Sequence, residues 1–511
     1  MDAKTGDVKA HAEQTRDEQT RDEQTYDVVV VGGGPVGENV AQYATEGTEL
    51  TAAIVERELV GGECSFYACV PSKALLRPVE VVATTASVSG VGRARLDVDA
   101  VLARRDEWVS AYDDAGHVSW AESEGIDVVR GHGRLVGERT VRVDSGDGGV
   151  TLHARHAVVL AMGSVPTVPA MYADARPWGS RDATGVTEVP ARLTIVGGGV
   201  VACEAATWMA GLGSSVTMLV REDRLLTSQE ELASTAVLES LTKAGCDVRL
   251  GATVTSCDRP EAEDTGLGRV HGGPVTLITS DGEELVADEL LVATGRRPNL
   301  DDVGLGAVGL SPEQLLDGVD LPSWLHVVGD ASGEAPLTHW GKYRARVVGA
   351  GIAASATSDT DPGTPGPAAS APVPGLPDDV PVPQVVFTDP QVATVGRTER
   401  AAREAGHDVV VSEVPVDAVT GAALLRDKPV GGARLVVDAA SGLVLGATFV
   451  GPAVAELVHA ATVAIVGRVP VHVLRHAVPS YPTASELWLR MLEELPRELR
   501  QPHELREPPN R

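Results

Sequence analysis

The stretch YDVVVVGGGPVG, residues 26–37, decides the fold. Four consecutive valines without polar alternation are the pattern of a parallel strand buried on both faces. Gly32, Gly34 and Gly37 follow as G-x-G-x-x-G. That spacing permits a tight turn, a close backbone approach to a pyrophosphate, and a helix packed tightly on the strand with its N-terminus facing the phosphates. Glycine turns between strand and helix also arise for geometry alone. What favours a nucleotide is Glu56, which closes the next apolar run, AAIVE, at about 20 residues' remove, where an acid binds a ribose diol.

Working outward, RLTIVGGGVVACEAATWMAGLGSSVTMLV from Arg192 repeats the strand, glycine turn, helix and strand. Here Gly197, Gly199 and Ala202 form G-x-G-x-x-A. The following strand ends on Val220 where an NAD site would place an acid, and Arg221 comes next, a residue that accommodates a 2′-phosphate. NADPH is therefore the expected nicotinamide, with NADH open, since Arg221 beside Glu222 also fits a solvated surface pair. Residues 353–381 are dense in Pro, Ala, Ser, Gly and Asp and read as a linker or insertion. Beyond them, short β-branched runs and AELVHAATVAIVG suggest an α+β unit. The expected class is α/β, with two Rossmann-type domains and a C-terminal α+β domain. The expected division is a disordered tail (1–25), a first nucleotide-binding segment (26–175), the nicotinamide domain (176–285), the return of the first domain (286–352), the linker, the C-terminal domain (382–495) and a mobile tail (496–511).

The 511 residues imply several domains, and a net charge of −29 argues against a sequence-independent grip on nucleic acid, which needs clustered Lys and Arg. No apolar run is long enough for a membrane span. The N-terminus, with its near repeat EQTRD-EQTRD-EQT, resembles neither a signal peptide nor a presequence, so the cytosol is the expected compartment. Five cysteines in such a chain do not describe a disulfide scaffold.

Two of the five stand together in GGECSFYACVPSKALL, which starts at Gly61. Cys69 opens an expected helix, with Pro71 in its first turn and Lys73 close behind. The positive end of a helix and a nearby ammonium both favour a thiolate, and a thiolate there can donate electrons to a flavin. Two inert buried cysteines are the alternative, and to that class Cys203, Cys246 and Cys257 are assigned. A zinc clip lacks further Cys or His ligands, so no metal site is expected.

GGECSFYACVPSK resembles the GGTCxNxGCxPSK signature of the class I pyridine nucleotide-disulfide oxidoreductases, the family of dihydrolipoamide dehydrogenase, glutathione reductase and mercuric reductase, over about residues 26–490. The resemblance implies FAD at the first glycine turn, with Gly62 beside it. It implies Cys69 as the flavin-contacting thiolate and Cys64 as the exchanging thiol. It pairs Lys73 with Glu204 beneath the flavin, and makes the C-terminal unit the dimerisation domain of a homodimer. Gly133 in GHGRLVG, Gly163 in LAMGSVP, Gly295 in LLVATGRRPNL, Asp330 in WLHVVGDAS and the helix beginning at Leu337 match further flavin-side segments. Asp330 would bind the ribityl chain or pyrophosphate.

Three departures stand out. Glu63, Ser65, Phe66 and Tyr67 replace the usual Thr and Asn-containing stretch, and Val200 stands where relatives often carry a gating Tyr. Tyr481, in YPTASE, stands where the family carries the general acid/base His of HPTxxE, with Glu486 as orienting acid. A phenol with a reference pKa near 10 is a poor base at neutral pH but can donate a proton. His472 and His476 lie nearby and fit solvent or core histidines better than a replacement base. The tail ELREPPNR lacks the cysteine pair that mercuric reductases use. The implied activity is an FAD-dependent transfer of electrons from NAD(P)H through Cys64 and Cys69 to a small or mixed disulfide. The alternative is reduction of a quinone, another electrophile or a metal ion at the flavin.

Overall fold

A computed structural model describes residues 23–146, 148–357 and 380–502. The described residues form two compact units: those within 23–70, 109–165 and 296–357 make the first, and 71–108, 166–295 and 380–502 the second.

In the first unit the valines of YDVVVV sit in the strand Glu23–Val31, flanked in parallel by Ala52–Glu56 and Gly148–Leu160. Val28, Val29 and Val30 are fully buried, as a strand covered on both faces requires. Ile126–Arg130 extends the sheet beyond Ala52–Glu56, and Leu325–Val327 returns to pair in parallel with Gly148–Leu160. His132–Gly137 and Thr140–Ser145 continue the other edge as an antiparallel meander. The helix Pro35–Thr45 packs against Thr338–Thr357 closely enough that a Cβ at Gly349 would lie 2.8 Å from Val40 O.

Two expectations about this unit change. Glu23–Thr25, read as tail, are strand and pair with Thr151–His153, because ladder hydrogen bonds use the backbone and tolerate polar side chains at the exposed end of a strand. The helix Thr338–Thr357 runs five residues into the stretch read as linker, which begins with alanines that favour helix. Residues 1–22, 358–379 and 503–511 lie outside the described residues.

In the second unit a parallel sheet of four strands runs in the order Asp247–Leu250, Ser215–Val220, Arg192–Val196, Glu289–Val292. A three-stranded antiparallel sheet (Val254–Asp258, Val275–Thr279, Glu284–Ala287) accompanies it. The C-terminal residues form a five-stranded antiparallel sheet with the helices Leu457–Val466 and Glu486–Glu494. Buried Trp178, Trp208 and Leu75 share one apolar cluster with Val386, Val392 and Val450 of that sheet, so the core is continuous. Leu499 is buried in the cluster of Met491, Leu492 and Leu495, which anchors residues expected to be a mobile tail. Among the described residues no helix is long and apolar enough to cross a membrane.

Candidate active site

The first glycine turn is built for close approach. Gly32 has φ of 108°, and a Cβ there would lie 2.4 Å from Ala161 O; one at Gly37 would lie 1.9 Å from Gly32 O. The helix Pro35–Thr45 starts at Gly34 with no side-chain cap, so its first N–H groups are left for an anion. Glu56 is aimed at the turn: its carboxylate accepts from Gly33 N at 2.7 Å and from Glu58 N at 2.7 Å. This cradle and its acid fit the pyrophosphate and ribose of a dinucleotide such as FAD.

The same unit gathers the segments of Gly133, Gly163, Asp330 and Leu337 that the resemblance assigns to the flavin side, while Gly295 belongs to the second unit. Ser164 Oγ donates to Asp330 at 2.5 Å and accepts from Arg296 Nε at 2.8 Å. Asn299 Nδ2 donates to Met162 O at 3.2 Å, and Asn299 N donates to Gly163 O at 2.9 Å. Gly163 has φ of 71°, a conformation that favours glycine, whereas Gly133 is small for want of room: a Cβ there would touch Val55 at 2.9 Å. Gly62, with φ of 58°, would drive a Cβ into Gly34 Cα at 2.7 Å, so the cysteine segment lies directly on the nucleotide turn.

Cys64 lies in the short helix Gly62–Phe66, and Cys69 is the first residue of Cys69–Ala86. Both are half-buried. Cys69 Sγ is 3.3 Å from Thr338 Oγ1, at the start of the helix Thr338–Thr357 that Leu337 was expected to open. Thr338 carries no signature in the sequence beyond a hydroxyl at the head of an expected helix. Burial pushes the Cys246 and Cys257 thiols up to about 11, and Cys203 higher still, which leaves these three chemically quiet at neutral pH.

In the second unit Lys73 Nζ meets Glu204 Oε2 at 2.9 Å, and Glu204 Oε1 accepts from Phe387 N at 2.9 Å. The ammonium also lies over the Phe387 ring, 4.7 Å from its centroid. Glu204 is almost fully buried, so both bonds form in a low-dielectric setting. Glu204→Gln keeps the Phe387 bond and removes the charge. It is expected to cost about 1 to 2 kcal/mol, read as a lower urea midpoint of the second unit.

The second glycine turn repeats the first. Gly197 has φ of 133°, a Cβ there would lie 2.4 Å from Ala293 O, and the helix Val200–Gly211 starts at Gly199 without a side-chain cap. Gly295, with φ of 136°, accepts from Thr167 N through its carbonyl at 2.9 Å. Arg221 is 79% exposed, and Glu222 binds its guanidinium at 2.7 Å. That contact holds the Glu222 carboxyl below its ordinary range.

Tyr481 is 73% exposed. Glu486 accepts from Gly421 N at 3.4 Å, so it holds the turn at Gly421 rather than the tyrosine. His472 is half-buried and His476 exposed.

Two family models match the chain: pyridine nucleotide-disulphide oxidoreductase over residues 26–314, and the dimerisation domain of the same family over residues 382–492. A dihydrolipoyl dehydrogenase of Haloferax volcanii is 30% identical over 91% of this chain and 95% of its own. Dihydrolipoyl dehydrogenase 2 of Haloarcula marismortui is 32% identical over 90% and 94%. A mercuric reductase of Staphylococcus aureus is 28% identical over 90% and 81%. Among solved structures, the Cu(II) complex of the HOCl-induced flavoprotein disulfide reductase RclA of Escherichia coli shares the fold with a TM-score of 0.76, at 22% identity, over 92% of this chain and 99% of that one. With both glycine turns, the cysteine segment and the C-terminal sheet inside the matched regions, the chain belongs to the class I pyridine nucleotide-disulphide oxidoreductases and is an FAD-dependent oxidoreductase of that family.

Proposed function

We propose that this enzyme passes two electrons from a reduced nicotinamide, by preference NADPH, to a small or mixed disulfide through Cys64 and Cys69. The observation that carries the reading is Cys69 at a helix start, its sulfur 3.3 Å from the Thr338 hydroxyl, with half-buried Cys64 in the helix before it. A flavin held at the first glycine turn would supply the two-electron relay between the nicotinamide and the cysteine pair.

The residues do the rest. Cys64 thiolate attacks one sulfur of the acceptor, forms a mixed disulfide and expels the first thiolate product. Cys69 thiolate then attacks Cys64 Sγ, which re-forms the Cys64–Cys69 disulfide and expels the second. The helix N-terminus and the Thr338 hydroxyl both favour the Cys69 thiolate. Asp330, Glu56 and the glycines of the first turn hold the flavin nucleotide, and Gly197, Gly199 and Arg221 hold the nicotinamide. Arg221 must leave Glu222 to meet a 2′-phosphate, so the preference for NADPH over NADH is modest. The dimerisation domain supports a homodimer in which Tyr481 serves the partner's acceptor site as proton donor.

The exposed Tyr481 also favours a second reading, reduction of a quinone at the flavin, because a phenol can hydrogen-bond a quinone oxygen but is a weak base for thiol exchange. An acceptor panel of lipoamide, glutathione disulfide and quinones, run with each nicotinamide, separates the two. Under the disulfide reading Tyr481→His is expected to raise disulfide turnover by about a hundredfold, the lower range for a positioned general base, and to leave quinone turnover unchanged, whereas under the quinone reading it lowers quinone turnover. No rise in disulfide turnover would show that the base is not what limits it.

A further inference from the structure

His117 lies in the helix Ala115–Ser123, and its Nδ1 is 2.8 Å from Oε1 of Glu38, a buried carboxylate in the first turn of Pro35–Thr45. The imidazole ring lies 5.7 Å from the ring of buried Phe66, at a 59° tilt. Its Nε2 faces Gly61, where an added Cβ would lie only 2.7 Å away and where φ is 105°. Gly61 N in turn donates to Gly33 O at 2.7 Å. The same short loop is held twice more: Val60 N donates to Asp114 at 2.7 Å, and Arg130, paired with Asp114 at 2.6 Å, donates to Glu58 O at 2.9 Å. Gly61 and Phe66 bracket Cys64 on both sides in the chain.

We propose that charged His117, held by Glu38, is a positioning residue for Cys64: it seats Gly61 and Phe66 and so fixes the short helix that carries the exchanging thiol. The proposal rests on Cys64 being that thiol. A ring set against both a backbone with no room for a side chain and an aromatic core residue transmits its displacement to both ends of a five-residue helix. Glu38 sets the charge state of the ring. Its hydrogen bond holds the His117 imidazolium above the ordinary imidazole range, aided by Asp114, against the cost of burial. Glu38 and Asp114 are the charged groups facing the ring, and Arg130 balances Asp114. The clamp is thus complete below the ordinary imidazole pKa of about 6.5 and is lost as pH rises through the raised value.

Alkylation of Cys64 by iodoacetamide in the reduced, flavin-loaded protein, read by mass spectrometry from about pH 5.5 to about pH 9, tests this. Corrected for thiolate fraction, the rate in the unsubstituted protein is expected to rise about tenfold as His117 loses its proton, a size within the range of coupling between groups in contact. Glu38→Gln shifts that break to lower pH, and His117→Phe, which keeps a ring against Phe66, shows the fast rate throughout. A featureless profile in the unsubstituted protein, or variant profiles that overlay it, would overturn the proposal and leave His117 a space-filling residue. The reading of Cys64 and Cys69 as a redox pair fails separately, if the protein takes up two electrons rather than four on dithionite titration.

Discussion

Cys69→Ser is expected to lower disulfide turnover by at least about a thousandfold while quinone reduction persists. A hydroxyl at this position is not ionised at neutral pH, so the helix start and Thr338 have no anion to stabilise, and the second displacement, onto Cys64 Sγ, has no nucleophile. Loss of a covalent catalytic group costs this much or more where the rest of the site is intact. The substitution is nearly isosteric, and Thr338 Oγ1 remains within reach of the new oxygen, so the fold is retained. Steady-state assays with lipoamide and a benzoquinone in parallel, on protein with a full flavin spectrum, give the answer. Equal losses with both acceptors would place Cys69 in the common reductive half of the cycle and remove the disulfide route as its special purpose.

The second large effect lies away from the chemistry. Arg259 and Glu289 form an ion pair with both side chains 0% exposed. The carboxylate accepts from Arg259 at 2.7 and 3.1 Å, from His271 N at 2.7 Å and from Leu290 N at 2.8 Å. The guanidinium also donates to Gly273 O at 2.7 Å and Asp288 O at 2.9 Å. Arg259→Met leaves a buried carboxylate with backbone donors alone, and is expected to cost about 3 to 5 kcal/mol. Removing both charges, in Arg259→Met with Glu289→Leu, recovers a large part of it. Urea unfolding followed by tryptophan emission reads this, since Trp178 is buried in the same unit and donates to Arg269 O at 2.7 Å. A single variant as stable as the parent would mean that water or a neighbouring cation reaches Glu289. Because Glu289 begins the strand beside Arg192–Val196, a loss there also loosens the second glycine turn.

What was legible in the sequence is what chain neighbours determine. Each glycine turn is written within twelve residues, and the positive φ at Gly32 and Gly197 is a local demand that only glycine meets without strain. The cysteine segment is equally local, and the Lys73–Glu204 contact became readable because a family signature pairs those positions. The contacts missed are those whose partners lie far apart in the chain and carry no signature. Thr338 on Cys69, Phe387 N on Glu204, His117 on Glu38 and Arg259 on Glu289 each join ordinary residue types through tertiary packing. Arg259, in CDRPEAED, reads as a surface charge until the strand Glu289–Val292 closes over it. The tail boundary was misplaced for a related reason: Glu23–Thr25 have the composition of disorder, but a free edge on Gly148–His153 was waiting to pair with them.

The parallel pairing of Leu325–Val327 with Gly148–Leu160 also sets a timetable for biosynthesis. Translation at about 5 to 20 residues per second delivers the last strand of this sheet on the order of ten seconds after its neighbour, with an entire second nucleotide fold emerging in between. Throughout that interval the nascent chain carries the apolar edge Ala157–Leu160 without its cover, the kind of surface on which chaperones act and aggregates start. A ribosome that stalls before Leu325 therefore yields a product whose first fold is incomplete, however well its early glycines and cysteines are placed.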